Sequence, residues 1–586
     1  MELDQTKDGV THVPELALYT LEYPPHKGGV AGYLVGLVEA LSKKPGVVYV
    51  HEKLCRKRLC WLPLVEVMRH DRAQSGLLVS HVLPMGTVAL LAKVFGGRAY
   101  SVIFHGLDLL YADRSLRKRW LVKLICRHAY LLVVNSQTTA DILTRFTDRP
   151  PLVLTPGVDL KVFVSKQDAR SRLGVGLDER IVLAVARLVP RKGFDVLIEA
   201  VGRLEESVRL MMIGKGPDEE RLRGLIGDNS AMELKTNVSD EERDLWYAAA
   251  DVFALPVREE KDDVEGFGMV FLEAAMAGLP IVAGKSGGVA EAVVDGVTGS
   301  LVDPRDPEVV ANALRVFLDH PETAVAFGQA GRARAMADFR WQDRARRFEA
   351  AYPFVSIVIP VYNRTQLLRE TLHSLMRQTY GSFEVIVVDD GSEEDVASVV
   401  KQYAQRLSIR IERLNKNQGA PVARNRGFDL SQGTYVLFLD ADVTLARTAL
   451  EQFVSTLREH PNVDVVYSAF RFGWKRFRSR KFDAKSLREG NYIHTGSLMR
   501  RASFVRFDEC LTKFQDWDLW LSMTERGSKM LRIFRVLFRV RSGGTMSNWL
   551  PSVVHRLPWE KVGWMPAALK RYREAEVVVK KKHGIG

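Results

Sequence analysis

Short apolar runs separated by amphipathic stretches recur along almost the whole chain. Between residues 15 and 160 the runs LALYT, VVYV (47–50), LLVSHV, YSVIF, YLLVV and LVLT each have the length of a buried strand. Amphipathic stretches such as Ala31 to Ser42 and Leu116 to Arg127 lie between them and predict helices. Alternation of this kind predicts a parallel sheet wrapped by helices, with ligands at the carboxyl ends of the strands. A second unit of the same rhythm runs from about Ile181 to Asp303, with IVLAVARL, VRLMMIG and DVFALP as strands. After Tyr352 the rhythm restarts without a flexible linker. PFVSIVIPVYNR, FEVIVVDDGS and YVLFLDAD predict three strong strands, and a helix with Leu367, Leu368, Leu372 and Leu375 inside follows the first.

Within this pattern the stretch Glu265 to Pro280, EGFGMVFLEAAMAGLP, stands out. Gly266, Phe267 and Gly268 predict a tight loop and a helix from about Met269, stopped where Gly278 takes a left-handed cap and Pro280 forbids continuation. Leu279 to Ala283 then reads as a buried strand, and Ser286-Gly287-Gly288 opens another helix. A glycine loop leading into a helix N-terminus is an anion site in principle, because free N–H groups and the helix dipole face the ligand. Alone it is more often only a tight turn. Here it is flanked by two carboxylates eight positions apart, Glu265 and Glu273. Upstream, Arg187 and Lys192 flank the loop of ARLVPRKGFD, and two cations just past a strand end suit a diphosphate. In the first unit, Pro24-Pro25-His26-Lys27-Gly28-Gly29 precedes the first helix as a candidate diphosphate cradle. His105-Gly106-Leu107-Asp108 follows YSVIF, and Pro156-Gly157-Val158-Asp159 closes the unit.

Composition narrows the class. The 586 residues are enough for three or four domains. Lys plus Arg number 84 and Asp plus Glu 71, so 84 − 71 gives the net charge of +13, which favours anionic partners or is simply a basic, solvated surface. The charge is spread along the chain without a nucleic-acid-binding motif, so a nucleic-acid partner is not expected. Four cysteines, Cys55, Cys60, Cys126 and Cys510, show no disulfide framework, which suits a reducing, cytoplasmic compartment. The polar N-terminus is unlike a signal peptide, and no apolar run reaches about 18 residues, so any membrane contact is expected to be peripheral.

Taken together, the motifs of residues 12 to 352 resemble the retaining glycosyltransferases of family 4, which have the GT-B fold and carry a Glu-x7-Glu signature. The resemblance implies two Rossmann-like domains, 1–163 binding the acceptor and 164–352 the nucleotide-sugar donor, with the helical segment 339–352 crossing back onto the first. It implies Gly28 and Gly29 near the diphosphate, Arg187 and Lys192 neutralising it, and Glu273 on the ribose. Glu265 would contact the donor sugar and His105 would lie near the reacting carbon; a histidine such as His105, taken alone, is more often a satisfied structural one. No metal or other cofactor is implied for this half.

Residues 354 to 545 resemble the inverting glycosyltransferases of family 2, of GT-A fold, on the strength of VDDGS, RNRG and the Asp-x-Asp of YVLFLDAD at these distances. Asp440 and Asp442 sit two apart at a strand end, where both can approach one hard cation. The resemblance implies Tyr362 and Asp390 along the nucleotide base, Asp389 nearby, Arg424 approaching the nucleotide, and Asp440 and Asp442 carrying ribose and Mg²⁺ or Mn²⁺. Asp516 of FDECLTKFQDWDLWLSM corresponds to the general base, with Asp518 as competing candidate. Where family members often end a strand in Tyr-Arg-x-His, this chain has Phe538-Arg539-Val540-Arg541, which leaves the metal's third protein ligand open.

The overall expectation is an α/β chain of two GT-B Rossmann-like domains, a GT-A domain (353–545) and a basic tail (546–586). It would be a bifunctional enzyme taking GDP- or UDP-sugars to a glycan or lipid-linked acceptor. The alternatives are a single active unit with the other as an acceptor-binding module, an epimerase or phosphorylase in the first half, or a nucleotidyltransferase in the second. RFGWKRFRSRK (471–481), six cations among three aromatics, reads either as a track for a lipid-phosphate or polyanionic acceptor or as a solvated loop. The tail, with Trp549, Trp559, Trp564 and a cationic end, reads either as a membrane-interface segment or as a helix docked on the third unit.

Overall fold

The computed structural model describes residues 16–24, 28–41, 46–50, 61–70, 77–97, 99–159, 163–205, 207–260, 263–541 and 567–585. Cys55 and Cys60, Pro25 to Lys27 of the first glycine loop, and Trp549, Trp559 and Trp564 lie outside them. Every strand predicted in the first half forms. β1 (Ala17–Thr20), β2 (Gly46–Tyr49), β3 (Leu77–Ser80), β4 (Tyr100–Phe104), β5 (Leu132–Val134) and β6 (Leu152–Val153) make a parallel sheet of order β2-β1-β3-β4-β5-β6. In register, Ser80 pairs with Ile103 and Phe104 with Val134, so their carboxyl ends share one edge.

The second sheet is again six-stranded and parallel. It contains β7 (Arg180–Val185), β8 (Val208–Ile213), β9 (Met232–Lys235), β10 (Val252–Leu255), β11 (Ile281–Gly284) and β12 (Gly299–Val302), in the order β12-β11-β10-β7-β8-β9. The two strands the apolar pattern does not predict, β9 and β12, are its edges. In β9 only Met232 and Leu234 are buried while Glu233 and Lys235 face outward, so no apolar run announces it.

The third sheet holds nine strands: β13 (Val355–Val361), β14 (Phe383–Asp389), β15 (Ile409–Arg413), β16 (Tyr435–Phe438), β17 (Val443–Leu445), β18 (Val465–Phe472), β19 (Lys475–Phe477), β20 (Leu498–Arg500) and β21 (Met530–Val540). Their order is β15-β14-β13-β16-β20-β18-β21-β17, with β19 beside β18. The three predicted strands form its parallel centre, and β20 joins β16 antiparallel. RFGWKRFRSRK begins at the β18–β19 hairpin, whose tip exposes 95% of Trp474.

The units are joined by packing. The helix Trp341–Ala350 follows the second sheet but lies on the first unit's helix Gly29–Ala40. Trp341, 3% exposed, meets Tyr33 with ring centroids 5.6 Å apart. A Cβ at Gly36 would come within 2.2 Å of its indole, so only glycine admits the ring there. The third unit docks on the first through one continuous core that includes Leu18, Tyr33, Trp341, Phe348, Ile357 and Tyr380. Around it, Ala99 N–H donates to the Thr379 carbonyl (2.9 Å), Lys93 pairs with Glu451 (2.7 Å), and Tyr352 bonds to Ser101. At the other end of the chain the helix Ala567–Lys582 packs on the third unit, burying Leu569 and Val579 and setting Tyr572 against Phe514. Of the two readings of the tail, the described part therefore takes the docked-helix one. Among the described residues no helix is long and apolar enough to cross a membrane.

Trp341→Ala would leave a cavity between the first unit and the helix that seals it. Equilibrium denaturation is expected to show a loss of about 3–5 kcal/mol.

Candidate active sites

The first candidate site lies between the carboxyl edges of the first two sheets. Behind β4, His105 is set by its backbone N–H donating to Asp108 Oδ1 (3.1 Å) and by its Nε2 at 2.9 Å from Ser80 Oγ. Burial, reinforced by the neighbouring His81, holds the His105 pKa well below its ordinary value, so the ring is neutral at neutral pH. Gly266 of the second unit approaches it closely: a Cβ there would sit 3.3 Å from the His105 carbonyl and 3.1 Å from Asn135 Nδ2. At the same edge Gly28 and Gly29 open the first helix exposed, and Gly32, one turn on, faces the methyl of Met269. The structure thus brings His105, the Gly28–Gly29 turn and the Glu265–Met269 loop to one cleft.

Glu265 is clasped rather than free. Its carboxylate accepts from both Lys192 Nζ and Arg191, and Arg191 Nε also pairs with Asp263 at 2.9 Å. Burial works to raise the Glu265 pKa, but Lys192 and Arg191 override it and hold it at about 2. Arg191 is a residue that the sequence pattern does not single out: the 3₁₀ turn Pro190–Lys192 aims Arg191 and Lys192 at Glu265, and Arg187 is exposed. The adjacency of two cations ahead of the Gly193 turn was the available signal. Glu273 accepts from the Tyr247 hydroxyl (2.9 Å), which orients it from below. Glycines lock the loops together: a Cβ at Gly287 would lie 2.5 Å from the Glu265 carbonyl, and one at Gly288 2.1 Å from that of Gly266. Gly278 takes the expected left-handed cap, at φ 79°.

The third sheet carries a second cavity, about 790 Å³, at the carboxyl ends of β13, β14 and β16. Tyr362, Asp390, Arg424, Asp440 and Asp442 all line it. Asp390 accepts the N–H groups of Gln418 and Gly419, both at 2.8 Å, so it pins the NQG loop against the cavity. Asp389 does not line it; fully buried, it accepts from Ser392 N–H (2.9 Å) and pairs with Arg413 (3.1 Å), bracing the turn from behind. Arg424 donates to Asp440 (2.6 Å) and to Gln515 Oε1 (2.8 Å). His494 stands beside this pair. Its Nδ1 accepts from Gly496 N–H (2.9 Å), and burial, then Arg424, outweigh Asp440 and lower its pKa to about 4. Arg541 turns away: its side chain pairs with Glu370 (2.9 Å), while its N–H supports the Asp442 carbonyl (2.9 Å).

Comparison with known proteins bears on both cavities. Residues 165–334 match the family described as Glycosyl transferases group 1, and residues 356–515 match Glycosyl transferase family 2. A GDP-mannose-dependent alpha-(1-6)-phosphatidylinositol monomannoside mannosyltransferase of Mycolicibacterium smegmatis is 31% identical over 369 residues, spanning 57% of this chain and 96% of that protein. The protein of the same description from Mycobacterium tuberculosis is 34% identical over 369 residues, again spanning 96% of its length. The chain belongs to the glycosyltransferases. It joins a group 1 unit and a family 2 unit in tandem. A sucrose-phosphate synthase from Thermosynechococcus elongatus superposes with a TM-score of 0.50 at 23% identity, covering 58% of this chain and 98% of that one, which bears out the two-domain fold of the group 1 unit.

In this glycosyltransferase the two acidic candidates of FQDWD separate by environment. Asp518, 2% exposed, bonds His583 Nε2 (2.9 Å) and Lys582 Nζ (2.8 Å), so it anchors the C-terminal helix. Asp516 sits two residues earlier, at the helix start next to Arg424 and Asp440. Burial raises its pKa despite the Trp517 N–H and Arg424. Asp518→Asn is expected to lower unfolding free energy by about 1–3 kcal/mol, the partly exposed Lys582 moderating the loss. Asp516→Asn should be neutral or stabilising, since it removes a carboxylate that burial disfavours.

Glu265 also predicts an acid response. Its folded pKa lies below its unfolded value of about 4.5, so its contribution is complete above that pH and is lost as pH falls from about 4.5 towards 2. Wild type and Glu265→Gln, followed by denaturant melts at stepped pH, should differ near neutrality and converge at the acid end.

Proposed function

We propose that this chain carries two working transferase sites, one in each unit, acting in succession on one acceptor. The observation that supports this best is that each unit has its own set of cations and carboxylates at the carboxyl edge of its own sheet: Lys192, Glu265 and Glu273 facing His105, and Arg424, Asp440 and Asp516 around the second cavity.

In the first site Arg187 and Lys192 neutralise the donor diphosphate beside the Gly28–Gly29 turn, Glu273 binds the ribose, and Glu265 meets the sugar. Neutral His105 is placed near the reacting carbon. Reaction there retains anomeric configuration without a metal. The mannosyltransferase relatives favour GDP-mannose as donor and a lipid-linked glycan as acceptor. In the second site Tyr362 and Asp390 flank the base. Asp516, with a pKa already raised by burial, takes the acceptor hydroxyl's proton as that oxygen displaces the nucleoside diphosphate, which inverts the configuration.

Asp440 and Asp442 suit a hard divalent cation. They offer oxygen donors at the cavity wall, and no cluster of three His, Cys, Asp or Glu occurs among the described residues, so diphosphate and water would complete the coordination. Mg²⁺ or Mn²⁺ held there supplies Lewis-acid stabilisation of the leaving diphosphate. The setting that suits such chemistry is the cytoplasmic face of a membrane, during synthesis of a surface glycan.

Nucleoside diphosphate release from a panel of nucleotide sugars, with and without EDTA, tests this. Turnover of GDP-mannose should survive EDTA and disappear in Glu273→Ala. A second donor's turnover should require metal, disappear in Asp442→Ala, and fall about 10²–10⁴-fold in Asp516→Asn. Indifference of every donor to EDTA and Asp442→Ala would make the third unit an acceptor-binding module. Free sugar or phosphate dependence would make the first an epimerase or phosphorylase.

A further inference from the structure

Twenty large apolar side chains are exposed among the described residues, and eight of them fall between Val67 and Trp120, in the outer helical layer of the first unit. The inner faces of the helices Thr87–Val94, Leu107–Asp113 and Leu116–His128 are spent on the sheet through Val88, Leu109, Val122 and Ile125. The outer faces of such helices are ordinarily polar. Here Leu116 is 85% exposed, Trp120 65%, Val94 66% and Phe95 60%. Lys93 Nζ donates to the His128 carbonyl (3.0 Å), which brings the end of Thr87–Val94, and with it Val94 and Phe95, to the C-terminal end of Leu116–His128.

The same face is cationic. Leu116–His128 carries Arg117, Lys118, Arg119, Lys123 and Arg127 and no acid. The neighbouring carboxylates are occupied: Asp113 by Arg119 and Arg145, and Asp108 by the backbone N–H groups that set the His105 turn. Lys118 Nζ lies 3.4 Å from the centroid of the exposed Tyr111 ring. Exposed aromatic and aliphatic side chains interleaved with a surplus of cations match the two layers of an anionic bilayer surface, acyl boundary and phosphate. A second copy of the chain matches poorly, because a two-fold pair would set this five-cation helix against itself.

We propose that this face docks the enzyme on anionic lipid, with Leu116, Trp120 and Phe95 entering the headgroup region and Arg117, Lys123 and Arg127 meeting lipid phosphates. The face runs to the first cleft. Leu107, 44% exposed, begins its helix two residues after His105, so the docked enzyme holds the cleft mouth at the bilayer. Binding is independent of which acceptor the site uses.

Sedimentation of the full-length protein with phosphatidylcholine vesicles, with and without phosphatidylglycerol, tests the inference. Wild type should pellet with the anionic vesicles and release at high salt. Leu116→Asp/Trp120→Asp should weaken partitioning by about tenfold or more, and Arg117→Glu/Lys123→Glu/Arg127→Glu should abolish the preference for phosphatidylglycerol. These positions are exposed, so unchanged melting curves should accompany both effects. Trp474→Ser, on the third unit's hairpin, should bind like wild type. No binding by wild type would overturn the proposal, as would full binding by Leu116→Asp/Trp120→Asp. So would loss of binding in Trp474→Ser alone, or a patch variant that alters only the oligomeric mass.

Discussion

A carboxylate taken out of water must find its charge partners inside the protein, and Glu265 meets that requirement with Lys192 and Arg191. The pairing constrains everything near it. The turn after β7 has to deliver two consecutive cations, which Gly193 permits by leaving the turn at φ 72°. The loop after β10 has to bring Glu265 within their reach, and the loop after β11 has to pack against it at backbone distance, which glycines at 287 and 288 allow. Three strand ends of the second sheet are tied together by one ionised group. Both cations are thus held in place before any ligand arrives, and preorganisation of this kind is what makes charge effective.

The central strands and the loops that border the cleft and the cavity could be read from the chain because buried parallel strands are apolar runs and the turns at their ends are dense in glycine and charge. What could not be read follows from the same physics. The edge strands β9 and β12, and β19 and β21 of the third sheet, are only partly buried, so they lack the run that betrays a strand. That Arg191 joins Lys192 at Glu265 could not be read, because it depends on the direction of a single 3₁₀ turn. Asp389 and Asp390 are adjacent in sequence and opposite in orientation, one bracing a turn and one lining a cavity, which is the period of two in a strand showing itself at the strand's end.

The tail helix shows how far a functional site can reach along a chain. Asp518 holds Lys582 and His583 from the other end of the third unit, and Tyr572 of the same helix packs on Phe514, the left-handed residue from which the Asp516 helix starts. Residues more than fifty positions downstream therefore shape the turn that presents the general-base candidate. The separation of Asp516 from Asp518 rests on that docking more than on anything within the FQDWD motif.

The continuous core between the first and third units also has a kinematic meaning. Side chains of both, among them Tyr130, Tyr352 and Tyr380, interlock with the Trp341 helix, so these two units behave as one body. The second unit meets the first across the cleft through Glu291, which receives the N–H groups of Gln137 and Thr138, and through Met269 against Gly32. The span between His105 and Asp516 therefore lies within one body, as between two tools mounted on a single handle.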